Sequence, residues 1–376
     1  MKIIISLFFG LLSIVSWCKD STNLYPELTN RAEISILTVG TGSQLYTLFG
    51  HTALRVYDPL MRVNRVYNYG LFDFSTPNFY AKFIKGDLLY YGGYEDYGDF
   101  VMGYAYEDRP VYEQHLTLNE NQKQQLWQLL NRSLEDDQKA YRYKFIHQNC
   151  TTKVVDLLNK VLLQPIEVEE VQHDESYRYI LNQSLQGHFF EKLGINLVFS
   201  SQLDQKAALL FLPDKFMQGL AITTVDGKPL VDKTTEVFKR QSEQTENWWN
   251  TYTFFAIAIF ILALLLKYTW VRYAYFVVIG LLGCLLVLIS FYSSHVELAY
   301  NNTPLLCNPL LLLLPFLSKR NKWGNVQQGI YGLIGLTVIL FIIVNLTSEK
   351  LVLTLPLVIL TLWALFKQIN VEKRKA

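Results

Sequence analysis

The residues with the most chemistry to offer in this 376-residue chain are a cysteine and a histidine far apart in the sequence. Four cysteines occur. Cys18 closes an apolar leader, while Cys284 and Cys307 lie inside long apolar runs, which leaves Cys150 alone in the polar part of the chain. A lone thiol in an exported domain is either a small core residue or a reactive group. Asn149 and Thr151 surround it with polarity that packing does not need, and the segment reads as a helix start, where free N–H groups and the dipole favour a thiolate. A nucleophilic thiol needs an imidazole partner. Of the six histidines, His51 is best placed, directly after Phe49-Gly50 and at the head of a β-rich run. His115, on a strand, and His147, three residues before Cys150, stand as alternatives. His173 and His188 read as surface residues, and His295 falls between two apolar runs, facing either the site or an interface.

A third group must hold the imidazole in position. Asn68, in Tyr67-Asn-Tyr-Gly70, falls on the strand expected to pair with that of His51. It can bind the ring without adding charge, although a strand asparagine also serves at turns and edges. An oxyanion would be met by the Cys150 N–H, with Tyr67 or Asn149 as a second donor. There is no His-Glu-x-x-His, no Cys-x-x-Cys and no Gly-x-Ser-x-Gly, so neither a metal nor a serine nucleophile is expected. The sequence calls for no cofactor.

Elements that could position these groups are legible. Ile34–Val39 reads as a strand, and Gly40-Thr-Gly-Ser43 as a turn without the features of a phosphate loop. Thr52–Tyr57 and Val63–Tyr69 form a hairpin, and Val111–Leu118 a further strand. Asn119 caps a helix with Leu126, Leu129, Leu130 and Leu134 on one side. Asn149–Thr152 opens a second helix, with Val154, Val155, Leu158, Val161 and Leu162 inward, that stops at Pro165. Tyr177–Leu185 and Gln205–Leu220 read as helical. The class is α+β, an antiparallel sheet flanked by helices. The aromatic run Phe72–Tyr91 is either core or an apolar rim admitting acyl chains.

Composition frames this domain. Apolar residues make up 51% of the chain and charged ones 18%, below the quarter or so expected of a soluble protein. The net charge of +1 removes the electrostatic case for binding nucleic acid. Residues 1–18 read as a secretory signal with Lys2 before an apolar core, and residues 19–247 as an exported domain. Residues 248–376 hold five apolar runs: Trp249–Leu266, Val271–Ile289, Thr303–Leu317, Gly329–Leu346 and Leu351–Phe366. The third is short and contains Pro304, Pro309 and Pro315, so a re-entrant form has to be weighed. Five crossings gather Lys267, Arg272, Lys319, Arg320, Lys322, Lys373, Arg374 and Lys375 on the cytoplasmic side and leave only Lys350 outside, as the positive-inside bias requires.

A histidine at a strand head followed much later by Asn-Cys at a helix start resembles the permuted papain-like (NlpC/P60-type) thiol enzymes. More specifically, five segments are similar to the Bacteroides-type lipoprotein N-acyltransferase (Lnb) family. They are Phe49-Gly-His-Thr-Ala-Leu-Arg-Val56, Tyr67-Asn-Tyr-Gly-Leu-Phe-Asp-Phe74, Asn78-Phe-Tyr-Ala-Lys-Phe83, Glu113-Gln114 and Asn149-Cys-Thr-Thr152. The resemblance extends less distinctively to Ser176-Tyr-Arg178, Gly194-Ile-Asn-Leu197, Asp204, Phe211-Leu-Pro213, His295 and Asn308-Pro309. It implies a papain-like exported domain followed by inner-membrane helices. It also implies that Cys150 and His51 move a fatty acyl group from a membrane phospholipid, through a thioester, to the α-amine of a diacylated lipoprotein, with Asn68 steering the ring. Arg55 and Arg178 are then candidates for holding phosphate, each with a structural ion pair as its alternative. A thiol amidase or peptidase acting on cell-envelope peptides, and a membrane scaffold with Cys150 merely buried, are the competing functions.

Overall fold

The computed structural model describes residues 25–242, 247–317 and 324–374. The expected signal at residues 1–18, and with it Cys18, lies outside them, as do Lys319, Arg320, Lys322 and Lys375. The head is α+β, as its sequence implies. Its seven-stranded sheet is antiparallel throughout. In chain order the elements are β1 (Glu33–Val39), β2 (His51–Asp58), β3 (Val63–Leu71), the helix α1 (Phe79–Lys85), β4 (Leu89–Asp96), α2 (Tyr97–Tyr106), β5 (Val111–Leu116), α3 (Glu120–Arg132), β6 (Ala140–Arg142) and α4 (Cys150–Asn159). Four further helices follow, α5 (Glu169–Gln172), α6 (Tyr177–Ser184), α7 (Phe189–Val198) and α8 (Pro213–Ile222). A two-residue hairpin, β7 (Thr224–Val225) and β8 (Lys228–Pro229), then leads to β9 (Val231–Phe238). The sheet runs β6-β4-β3-β2-β1-β5-β9.

The alternating pattern of the central strands divides side chains between two layers. Ile34, Ile36, Leu54, Val56, Tyr67 and Tyr69 face α3 and α4, where they pack on Leu126, Trp127, Leu130, Val154 and Leu158. Leu37, Val39, Ala53 and Val66 face the other way, against Phe100 of α2. The two helices of the first layer start where the sequence says. Asn119 and Gln122 form a reciprocal cap on α3, and Asn149 and Thr152 do the same on α4. The second ends at Asn159, six residues before Pro165. Two strands escape the sequence patterns. β4 lies in a stretch that is aromatic rather than alternating, and β9 (Val-Asp-Lys-Thr-Thr-Glu-Val-Phe) is polar because it is the sheet's outer edge. Charged side chains suit an edge, since they discourage further pairing. Residues 205–212, read as the start of a helix, are irregular before Pro213 opens α8.

Below the head lie α9 (Tyr252–Leu265), α10 (Thr269–Tyr292), α11 (Leu314–Leu317), α12 (Gly324–Val344) and α13 (Glu349–Lys373). Three helices, Thr269–Tyr292, Asn325–Val344 and Glu349–Lys373, are long and apolar enough to cross a membrane, while Tyr252–Leu265 and Thr303–Leu317 are shorter apolar segments. The latter is broken by its prolines into two 3₁₀ turns and α11. Contacts order the segments. At the head, Asn250 accepts from the Phe190 N–H (2.7 Å), Asn301 donates to Leu197 O (2.8 Å), and Ser348 donates to Asp204 (2.8 Å). At the opposite end, Arg272 donates to Leu266 O (2.7 Å) and Gln368 (2.8 Å), and Gln327 and Tyr331 donate to Glu372 (2.6 and 2.8 Å). Successive apolar segments therefore run in alternate directions, Thr303–Leu317 included. Lys350 sits at the head end, fully buried, donating to Phe199 O, Asn301 and Asn302.

Candidate active site

Cys150 is the first residue of α4, and its position is set by its neighbours. Asn149 Oδ1 accepts the Thr152 N–H at 3.0 Å, and Thr152 Oγ1 accepts the Asn149 N–H at 2.9 Å. Asn149 Nδ2 donates to Phe145 O and Phe211 O at 2.9 and 3.0 Å. The next residue, Thr151, is wholly buried and shares a 3.0 Å hydrogen bond with Thr52. That bond pins the helix start to the start of β2, one residue from His51. His51 in turn follows Gly50, whose φ of +77° favours glycine and where a Cβ would stand 2.5 Å from Val39 O.

Across the hairpin, Asn68 pairs with Ala53 and its side chain projects on the same side as that of His51. Asn68 Oδ1 lies 2.7 Å from His51 Nε2. Because that oxygen only accepts, Nε2 carries the proton and Nδ1 is left for the hydrogen bond with Cys150. Gly70, at φ +141°, keeps the meeting place clear. A Cβ there would lie 3.4 Å from His51 Cε1 and 3.6 Å from Cys150 Cβ. The imidazole is backed by Tyr104 of α2, stacked at 6.2 Å between ring centroids, and Arg109 lies over the other ring at 4.8 Å.

Electrostatics favour the charge-separated pair. Burial pushes the Cys150 thiol up, but the charge and hydrogen bond of His51 outweigh it, aided by the Thr52 N–H and the Thr151 hydroxyl. The thiol is brought down to about 7. Burial pulls His51 down, yet the thiolate's charge and hydrogen bond, with that of Asn68, leave it raised above the ordinary imidazole value, against a small opposing effect of Arg109. Thiolate and imidazolium stabilise each other, which is the state a nucleophilic cysteine needs. The Cys150 N–H belongs to the first turn of α4, where N–H groups lack intrahelical acceptors.

The other sequence candidates are placed elsewhere. Tyr67 is fully buried on the α3 side and donates to Asn131 at 3.0 Å, so it cannot meet an oxyanion beside Cys150. The side chain of Asn149 is consumed by the cap. Arg55 pairs with Glu113 at 2.9 Å, donates to Asn64, and stacks on Tyr97 at 3.6 Å on the α2 side of the sheet. Arg178 is 1% exposed and fully engaged by Asp204, Asn196 and Ser200 O. Both arginines form ion pairs, the structural alternative to a phosphate site. His295 is a junction residue, with Nε2 on Phe83 O at 2.9 Å and Nδ1 4.0 Å from the buried carboxylate of Glu297. His147 faces the same carboxylate at 3.8 Å, and His115 faces Glu33. No sequence pattern marks Tyr104, Arg109 or Gly70 as a site residue: Gly70 shares a segment with Asn68, whereas nothing in the sequence ties α2 to His51.

The aromatic run divides. Phe72, Phe79, Phe83 and Tyr143 pack around Leu88, Tyr90 and Tyr141, while Phe74 and Tyr80 are exposed. Tyr90, Tyr141 and Tyr143 all lie close enough to the Cys150 thiolate for its charge to raise them further, beyond the larger effect of burial. Among the described residues, no group of three or more His, Cys, Asp or Glu could hold a metal ion.

Fold and site thus define an α+β head with a half-buried thiol–imidazole–amide constellation, carried on apolar helices. Residues 27–183, which include His51, Asn68 and Cys150, match the family model described as the Lnb N-terminal periplasmic domain, which supports an Lnb-family protein. No curated protein and no solved structure matches it.

Proposed function

We propose that this protein is a lipoprotein N-acyltransferase. The Cys150 thiolate attacks an ester carbonyl of a phospholipid, and the lysophospholipid alkoxide leaves with the proton held by His51, giving an acyl thioester. The α-amine of a diacylglyceryl-cysteine lipoprotein then attacks the thioester. His51 takes the amine's proton, the thiolate departs, and an amide remains. Asn68 keeps the imidazole facing the sulfur through both steps, and the Cys150 N–H meets the oxyanion.

One observation carries this reading. The thiol lowered to about 7 lies within electrostatic reach of Tyr90, Tyr141 and Tyr143, and the aromatic cluster of Tyr90, Tyr141 and Tyr143 continues through Phe83 to the end of a candidate membrane helix at Ser293–His295. An apolar approach of that kind suits acyl chains better than the wet cleft that a peptide hydrolase requires. The alternating direction of the apolar segments supports five passes, with the head on the periplasmic side of the inner membrane and the basic residues opposite. In that arrangement both lipid substrates arrive from the leaflet beneath the head, which raises their effective concentration.

The test is mass spectrometry of lipoprotein N-termini from cells carrying the wild-type protein or Cys150→Ser. Loss of the amide-linked acyl chain in the variant is expected. Unchanged N-acylation overturns the proposal.

A further inference from the structure

The head exposes an apolar patch at the end of the sheet where His51 and Cys150 meet. Leu45 is 73% exposed, Tyr46 57%, Phe74 58% and Tyr80 73%. These side chains are contiguous. Tyr46 touches Phe72 and Phe74 edge-on at 6.4 Å, Phe74 lies 4.9 Å from Phe79, and Phe79 lies 5.4 Å from Tyr80. No described part of the head covers them. A soluble surface rarely leaves so many large aromatic and aliphatic groups together without a partner.

What covers the patch is indicated by its attachment. Ile84 O and Lys85 O, at the end of α1, accept from Ser293 Oγ (2.6 Å) and the Ser294 N–H (2.9 Å), the first residues beyond α10. The last turns of α10 are themselves exposed and apolar, with Leu288 at 66% and Phe291 at 88%. The helix that carries Tyr80 is therefore joined at its end to the exposed apolar end of a candidate membrane span. Lys82 stands in the last turn of α1 beside Lys85, which pairs with Asp87, and its long cationic side chain can reach lipid phosphates while the aromatic face points into the acyl region.

We infer that the turn Leu45–Thr47, the segment 72–78 and α1 form an interfacial element that sinks into the phospholipid leaflet beneath the head, with Leu45, Tyr46, Phe74 and Tyr80 among the acyl chains. Tyr90 and Tyr143, stacked at 4.4 Å, connect this element through Phe72 (5.1 Å from Tyr90) to the neighbourhood of Cys150. The inference concerns where the patch lies and holds whether or not Cys150 transfers an acyl group.

The experiment places a photoreactive diazirine residue at Leu45, Tyr80 or Leu60 in the full-length protein, reconstituted in vesicles of phosphatidylethanolamine and phosphatidylglycerol. Leu60 is the matched control, 59% exposed at the opposite end of the β2–β3 hairpin. Leu288 of α10 is the positive control. Lipid adducts at positions 45 and 80 are expected to approach those at 288 and to exceed those at 60 by roughly tenfold or more. Adducts at 45 and 80 no more abundant than at 60, in proteins whose Cys150 still reacts with water-soluble iodoacetamide, overturn the inference. Adducts at 45 and 80 without N-acylation in cells would refute the proposed reaction and leave this inference standing.

Discussion

Asn68 Oδ1 stands 2.7 Å from His51 Nε2 although the two residues are not register partners, since Asn68 lies opposite Ala53 on the neighbouring strand. The offset lets the amide reach the ring's far nitrogen and leaves the near one to Cys150. Side chains two positions apart on a strand share a face, so the relationship depends on the hairpin register, while Gly70 keeps clear the space beside His51 and Cys150.

The first prediction follows from the thiol. Alkylation of Cys150 by iodoacetamide should rise with pH around a midpoint of about 7 in the wild type. In His51→Ala the charge and hydrogen bond that hold the thiol down are gone while its burial remains. The midpoint should move up to the ordinary value of 9.0 or beyond, lowering the rate at pH 7 by roughly 50-fold. Asn68→Ala should shift it in the same direction and by less. A His51→Ala profile that superimposes on the wild type would refute the pairing.

Glycine substitutions separate conformation from chemistry. Gly50→Ala forces φ +77° on an alanine whose Cβ meets Val39 O at 2.5 Å, so thermal unfolding should reveal a loss of about 1–3 kcal/mol. Gly70→Ala adds its methyl directly between His51 Cε1 and Cys150 Cβ. It should slow Cys150 alkylation at pH 7 more than its effect on unfolding explains.

Arg178→Ala tests the structural assignment of that residue. Its removal leaves Asp204 and Asn196 without their buried partner, a loss of about 3–5 kcal/mol for a broken buried pair. The melting temperature in detergent should fall, while the pH midpoint of Cys150 alkylation in the folded fraction should not move. A changed midpoint with unchanged melting would return Arg178 to the site.

Acid should loosen the junction between head and helices. Burial keeps His295 neutral, holding its value below the ordinary 6.5 against the opposing influence of Phe83 O and Glu297. The unfolded chain therefore takes up a proton near pH 6.5 that the folded chain accepts only at lower pH. The contribution to stability is present above that value and is lost as pH falls through the folded one. Unfolding followed between pH 7 and 5 should show this decline, and His295→Gln should flatten its share of it.

Several features were legible because they rest on local rules. The caps at Asn119 and Asn149, the inward faces of α3 and α4, the β2–β3 hairpin and the apolar runs are each written in contiguous residues. The prolines of Thr303–Leu317 announced a broken segment. β4 was hidden by aromatic residues and β9 by its polar edge position, since neither strand shows the alternation of a half-buried strand. The partners of Tyr67, Asn149, Arg55 and Arg178 were not legible for one reason: side-chain type says what a group can bind, but not which partner reaches it first.

The sequence by itself determined that a single polar-domain cysteine begins a capped helix, that a histidine follows a conformationally free glycine, and that apolar runs follow an α+β head. Tertiary structure alone decided that the sulfur and the imidazole meet, that Tyr104 backs the ring, and which face of the sheet each polar side chain occupies. These depend on contacts between residues about a hundred positions apart, such as Thr52 with Thr151, and no local pattern encodes the folded distance between them.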